Sequence, residues 1–169
     1  MPDMRGGVSC FHVYAPGLIE PMVIGDVTAP VLRIVTIRGC FASDCIPYRS
    51  NFFPFCVVVN TDPSNLSGTH WIALFCNSTN SIEYYDSFGI WPPISYHIRT
   101  YLDKFNNVQF NSVMLQQPFS ITCGNHVILF LYMRCLGFSM NKIISLLKGI
   151  NADKFVSEFI STQIFNINR

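Results

Sequence analysis

Leu115-Gln-Gln-Pro-Phe-Ser-Ile-Thr-Cys-Gly-Asn-His-Val-Ile-Leu-Phe-Leu-Tyr-Met-Arg134 is the stretch around which this chain is organised. Polar, turn-prone residues lead into one cysteine, and Gly124 and a proline-free apolar run from Val127 to Met133 follow it. That pattern reads as a loop that delivers Cys123 onto the first turn of a buried helix, which continues to about Gly137. The unpaired N–H groups and partial positive charge of a helix N-terminus favour a negative sulfur, lowering a thiol pKa from its free value of about 8.5. An imidazolium partner lowers it further, and Cys123 is the candidate nucleophile.

Upstream of this stretch, Phe55-Cys-Val-Val-Val59 has the β-branched density of a buried strand, and Asn60 to Thr69 has the composition of a loop. The loop delivers His70. Trp71 to Phe75 then reads as a strand, Asn77 to Ser81 as a hairpin turn and Ile82 to Asp86 as the returning strand. An antiparallel pair of that length puts His70 and Asp86 at the same end. Farther out, Val31 to Ile37 is strand-like and Phe41 to Pro47 a turn or short helix, while residues 1–30, rich in Gly and Pro, read as an irregular arm or edge strand. Pro92 and Pro93 open a helix running to about Lys104, with Ile94, Ile98, Tyr101, Leu102 and Phe105 on one apolar face. Val108 to Leu115 is strand-like. Downstream of the Cys123 helix, Ser139 caps a helix to Leu147, and another runs from Asp153 to about Phe165.

A chain of 169 residues, half of them hydrophobic, buries a real core, so residues 1–169 are read as one domain, with 1–38 as an N-terminal arm and first strand. Eleven Lys and Arg against ten Asp and Glu give a net charge of +1, which supplies no general attraction to nucleic acid or an anionic membrane. Seven cysteines at irregular spacing, with no paired CxxC framework, fit reduced thiols in a cytosolic or nuclear setting better than a disulfide scaffold. No secretory signal is visible, since Asp3, Arg5, His12, Pro16 and Glu20 interrupt the N-terminal apolar pieces. No apolar run approaches the roughly 20 residues that span a bilayer. A metal site is a weak alternative: Cys10-Phe-His12 and Cys40-x4-Cys45 lack the second paired cluster of a structural zinc site.

A cysteine hydrolase needs a thiolate, an imidazole that pairs with it and protonates the leaving amine, a group that orients the imidazole, and donors for the developing oxyanion. Cys123, His70 and Asp86 fill the first three roles. The Cys123 backbone N–H and a glutamine side chain, Gln116 or Gln117, fill the last. Each residue alone has an ordinary explanation: a buried thiol, a strand-capping histidine, an aspartate bonded within its own turn at Asp-Ser-Phe-Gly89. The ordered arrangement argues for function. His12 falls in the arm, His97 in a surface helix, and His126 on an early turn of the Cys123 helix, where it is expected to face solvent or cap locally. Trp71, beside His70, is expected in the core and as one wall of a narrow groove.

Val58-Val-Asn-Thr61 ahead of Gly68-Thr-His-Trp71, then Glu83-Tyr-Tyr-Asp-Ser-Phe-Gly89, then Gln116-Gln-Pro-Phe-Ser-Ile-Thr-Cys-Gly124, resemble the adenovirus-type cysteine proteases, called adenain. The likeness is strongest to their relatives in Maverick/Polinton elements and related DNA viruses, and SUMO-deconjugating proteases are more distant. The resemblance covers roughly Gly39 to Leu147. It implies an α+β, papain-related fold with a central mostly antiparallel sheet flanked by helices and the nucleophile at a helix N-terminus. It also implies a virus-encoded endopeptidase that cuts capsid or core precursors during virion maturation, often beside small residues such as glycine, inside the host cell and in the virion.

The family roles fall on Cys123, His70, Asp86 and Gln116. The adenovirus-type spacing, seven residues before the cysteine, selects Gln116; the SUMO-protease spacing, six before, makes Gln117 the runner-up. Adenain carries glutamate where Asp86 stands, and either carboxylate can hold an imidazole. No cofactor is needed for the chemistry. Adenain is stimulated by a viral peptide and by DNA; the charge here gives no support to DNA activation and leaves an activating peptide open. Two other readings share the motifs: an isopeptidase that removes ubiquitin-like modifiers, and a non-enzymatic capsid or scaffold component that keeps the fold. The intact set of four residues argues against the last.

Overall fold

A computed structural model describes residues 35–47 and 52–164. The arm expected over residues 1–30, with Cys10 and His12, lies outside the described residues, as do the start of the strand expected from Val31 and the end of the helix expected to reach Phe165.

Among the described residues five strands form one sheet in sequence order: β1 (Thr36–Ala42), β2 (Phe55–Asn60), β3 (Trp71–Ser78), β4 (Ser81–Tyr85) and β5 (Asn107–Phe110). The pairs β2–β3 and β3–β4 are antiparallel, but β1–β2 and β4–β5 are parallel, so the sheet is mixed rather than mostly antiparallel. The connections decide this. A tight turn at Thr79 and Asn80 reverses the chain between β3 and β4, whereas the long link from β4 to β5 carries helix α1 (Tyr96–Leu102) and has room to cross over. Helices α2 (Cys123–Cys135), α3 (Met140–Leu147) and α4 (Ala152–Phe159) follow, making an α+β architecture.

Side chains of β2 and β3 alternate between two cores. Cys56, Ala73 and Phe75 join Tyr85 of β4, Val127 and Phe130 of α2, Ile143 of α3 and Val156 of α4. Phe55, Val57, Val59, Ile72 and Leu74 join Ile98, Tyr101 and Leu102 of α1 on the other face. With both faces covered, these strands read as continuous apolar runs. Helix α2 is fixed to the sheet at two heights. Near its middle the Phe130 ring stacks on Tyr85, with centroids 4.2 Å apart. In its last turn the buried Arg134 guanidinium donates to both carboxylate oxygens of Glu83, at 2.7 and 2.8 Å, and to the Phe138 carbonyl, and lies over the Phe75 ring.

Two elements are shorter than their sequence pattern. Helix α1 begins only after Ser95, whose backbone is extended, and Ile94 stands outside it, exposed. Strand β5 stops at Phe110 because the next residue, Asn111, replaces strand pairing with its side chain. Its Oδ1 accepts from the Asp86 N–H at 2.9 Å and its Nδ2 donates to the Asp86 carbonyl at 2.7 Å. Ser139 caps α3 as expected, accepting from the Lys142 N–H.

Candidate active site

The register of the β3–β4 hairpin pairs Ala73 with Tyr85, which leaves His70, just before β3, beside Asp86, just after β4. The His70 carbonyl accepts from the Thr61 N–H at 2.9 Å, tying the start of the long loop, just after β2, to the residue that precedes β3. Its Nε2 lies 2.8 Å from Asp86 Oδ1. Asp86 is 2% exposed and is held on every side: Oδ1 accepts from the Phe88 N–H, Oδ2 from the Tyr84 hydroxyl, and Asn111 grips its backbone. The turn closes with the Gly89 N–H on the Asp86 carbonyl. Gly89 has φ +66° and a Cβ there would stand 2.6 Å from the Val113 carbonyl carbon, so only glycine fits. The Phe88 ring packs on the His70 imidazole, with centroids 4.9 Å apart.

Cys123 opens α2, buried at 9% exposure. Its thiol is held below the ordinary value by a hydrogen bond with His70, against burial, which pushes it up, and with help from the backbone N–H groups of Trp71 and Gly124. Burial works against a proton on His70, but its hydrogen bonds to Asp86 and Cys123 and their charges outweigh that, raising its pKa to about 9. Since Nε2 belongs to Asp86, Nδ1 is the ring nitrogen left for the thiol. Opposite shifts on two hydrogen-bonded groups favour the thiolate–imidazolium pair over the neutral pair.

The structure separates the two glutamines. Gln116 is 1% exposed; its Oε1 accepts from the Ser87 hydroxyl at 2.7 Å, and its Nε2 donates to the Ser120 carbonyl at 2.7 Å. One hydrogen of Nε2 remains for another acceptor. The Gln117 side chain is exposed, and its backbone N–H donates to Asp153 Oδ2. Gln116 is therefore the buried glutamine and Gln117 the exposed one.

Trp71 is half-buried and packs against the core that holds α2. It does not line the cleft of about 500 Å³ beside His70 and Asp86, whose apolar walls include Phe88, Ile90, Ile94 and Tyr96. His126, expected to face solvent or cap locally, is fully buried, with Nε2 2.9 Å from Asp153 Oδ1 on α4. Three residues beyond Cys123, it sits on the face of α2 that packs against α4, which sequence spacing around the cysteine does not reveal. His97 is exposed on α1. Among the described residues no group of three or more His, Cys, Asp and Glu side chains could hold a metal ion, and all six described cysteines are free.

Three supporting residues escaped the sequence reading. Asn111 carried no signal, because only the parallel β4–β5 register, which pairs Tyr84 with Phe110, brings the residue after Phe110 toward Asp86. Ser87, which also accepts the Leu115 and Gln116 N–H groups on its carbonyl, sits inside the Asp-Ser-Phe-Gly motif. Asp153 carried none.

No protein-family model matches the chain, and no curated protein matches it. The fold is similar to crystal structures of the ASFV pS273R protease. The selenomethionine form is 23% identical with a TM-score of 0.43, the match covering 64% of this chain and 43% of that one. A second structure of the same protease is 22% identical with a TM-score of 0.43, covering 64% and 42%. This chain thus spans less than half the length of that protease. Among the described residues no helix is long and apolar enough to cross a membrane.

Proposed function

We propose that this chain is a cysteine endopeptidase in which Cys123 attacks the scissile carbonyl and His70 protonates the leaving amine. The observation that carries the reading is the line Cys123–His70–Asp86, with the thiol pKa lowered and the imidazole pKa raised to about 9. Asp86 holds the ring by Nε2, so Nδ1 exchanges the proton with sulfur and with the departing nitrogen. Thiolate attack closes a C–S bond and puts negative charge on the carbonyl oxygen, for which the second hydrogen of Gln116 Nε2 and the N–H groups at the start of α2 are the donors. Loss of the amine leaves a thioester, which water, deprotonated by His70, hydrolyses to restore the thiol.

The proposed substrate class is the one that the resemblance of the three motifs to adenain implies: viral structural precursors, cut beside small residues during virion maturation. An extended polypeptide with apolar side chains suits the cleft walled by Phe88, Ile90 and Tyr96.

The test is the pH dependence of iodoacetamide alkylation at Cys123, followed site by site with mass spectrometry. Wild type is expected to react selectively at Cys123 down to about pH 6, well below the range of a free thiol. His70→Ala should slow that reaction about a hundredfold at pH 6 by returning the thiol toward its ordinary pKa. Uniform reactivity across the cysteines, unchanged in His70→Ala, would reject the ion pair and the reading with it.

A further inference from the structure

The loop between Gln116 and Cys123 has almost no packing to hold its shape. Phe119 and Ile121 are 102% and 95% exposed, and Phe119 adopts φ +67°, where a bulky side chain is strained. Hydrophobic burial cannot fix such a segment, yet the two groups at its ends must be placed to within a fraction of an ångström for an acyl transfer. Polar contacts do the fixing. At one end the Ser87 hydroxyl and carbonyl hold Gln116. At the other end a single carboxylate, Asp153 in the first turn of α4, gathers three donors. Oδ2 accepts the Gln117 N–H at 2.9 Å, and Oδ1 accepts the Thr122 hydroxyl at 2.5 Å and His126 Nε2 at 2.9 Å.

Gln117 directly follows the proposed oxyanion donor, and Thr122 directly precedes the proposed nucleophile. We propose that Asp153 is a positioning residue that sets the distance between Gln116 and Cys123, so that α4 takes part in catalysis without touching substrate. This rests on the hydrolase reading above. Ser120 links the two ends: its carbonyl accepts from Gln116 Nε2, and its hydroxyl lies 2.8 Å from the Thr122 hydroxyl. His126 completes the clamp as a neutral donor. Burial lowers its pKa against the pull of Asp153, and its Nδ1 is buried without a partner, so the proton sits on Nε2, facing the carboxylate. Asp153 stays ionised, because its bonds to Thr122, His126 and the Gln117 N–H outweigh the burial that would raise its pKa. Asparagine has one acceptor oxygen and would turn an N–H toward one of the donors.

The clamp acts on the oxyanion side of the reaction and not on the ion pair, so two electrophiles separate them. Iodoacetamide is displaced by the thiolate with no oxyanion. Acetyl transfer from p-nitrophenyl acetate to Cys123 passes through a tetrahedral oxyanion before p-nitrophenolate departs. In Asp153→Asn, acetylation of Cys123, read by mass spectrometry, is expected to fall about tenfold or more while alkylation at pH 6 stays within about twofold. Thr122→Val keeps the carboxylate and should fall in the same ratio by a smaller factor; it serves if Asp153→Asn does not fold. Amide hydrogen exchange over residues 116–122 should quicken in both variants. Parallel loss with both reagents, no loss with either, or unchanged exchange would overturn the clamp. A wild type whose Cys123 neither acetylates nor alkylates selectively would instead overturn the hydrolase reading, which separates the two failures.

Discussion

Among the described residues two His–Asp pairs have nearly equal N–O distances and histidine pKa shifts of opposite direction. His70 Nε2 lies 2.8 Å from Asp86, and His126 Nε2 lies 2.9 Å from Asp153. Burial disfavours a proton on both rings, yet His70 is raised to about 9 while His126 is lowered. His70 has a second acidic partner, the Cys123 thiol, whereas His126 Nδ1 is buried without a hydrogen-bond partner. His126, fully buried, is lowered chiefly by that burial, whereas His70, whose side chain is 14% exposed, is raised by Asp86 and Cys123 together. One pair therefore suits proton transfer, and the other suits holding a backbone in place.

The strongest way to break this contrast is to remove the carboxylates in turn. Asp86→Ala is expected to lower Cys123 acetylation about a hundredfold or more and to abolish its low-pH alkylation, because the imidazole loses both its orientation and its charge partner. Asp153→Asn should spare the alkylation. Equal loss of alkylation in the two variants would mean that the pairs are not distinct.

A smaller effect separates the pairs by stability. His126→Leu removes a fully buried hydrogen bond and leaves Asp153 short of a donor, a cost of about 1–3 kcal/mol by urea unfolding. His70→Ala, at a site whose side chain is 14% exposed, should cost less. The reverse order would show that the His70 pair is the structural one.

The smallest effect is in the pH dependence of unfolding. With a lowered pKa, His126 contributes stability in full above its ordinary value of about 6.5 and loses it as the pH falls, since the unfolded chain then binds the proton that the folded chain refuses. One proton limits the slope to about 1.4 kcal/mol per pH unit. His70 has the opposite sign: its contribution is complete below about 6.5 and is lost as the pH rises through about 9. Unfolding curves between pH 7 and 5 should therefore be flatter in His126→Gln than in wild type, with no such flattening in His70→Ala. An unchanged slope in His126→Gln would mean that His126 is protonated in the folded chain.

Much of the site was legible because it is built from local sequence. A strand, a turn and a strand of matched length put His70 and Asp86 at one end of a hairpin whatever surrounds it, and a polar loop running into an apolar helix puts Cys123 at a helix start. These are short-range consequences of backbone geometry, and residue type reports them directly. The parallel pairings of β1 and β5 were not legible, because strand direction depends on where a long connection returns. His126 was misjudged for a related reason. Its environment is set by α4, with Asp153 lying 27 residues farther along the chain. That Gln116 and not Gln117 is buried, the glutamine the family resemblance already selected, likewise depends on Ser87, 29 residues before Gln116. The sequence by itself determined the candidate reacting groups and the local elements that present them. The tertiary structure alone decided which glutamine side chain is buried, which histidine has its pKa raised and what holds the loop between Gln116 and Cys123, because burial and hydrogen-bond partners come from chain segments that meet only when the helices pack on the sheet.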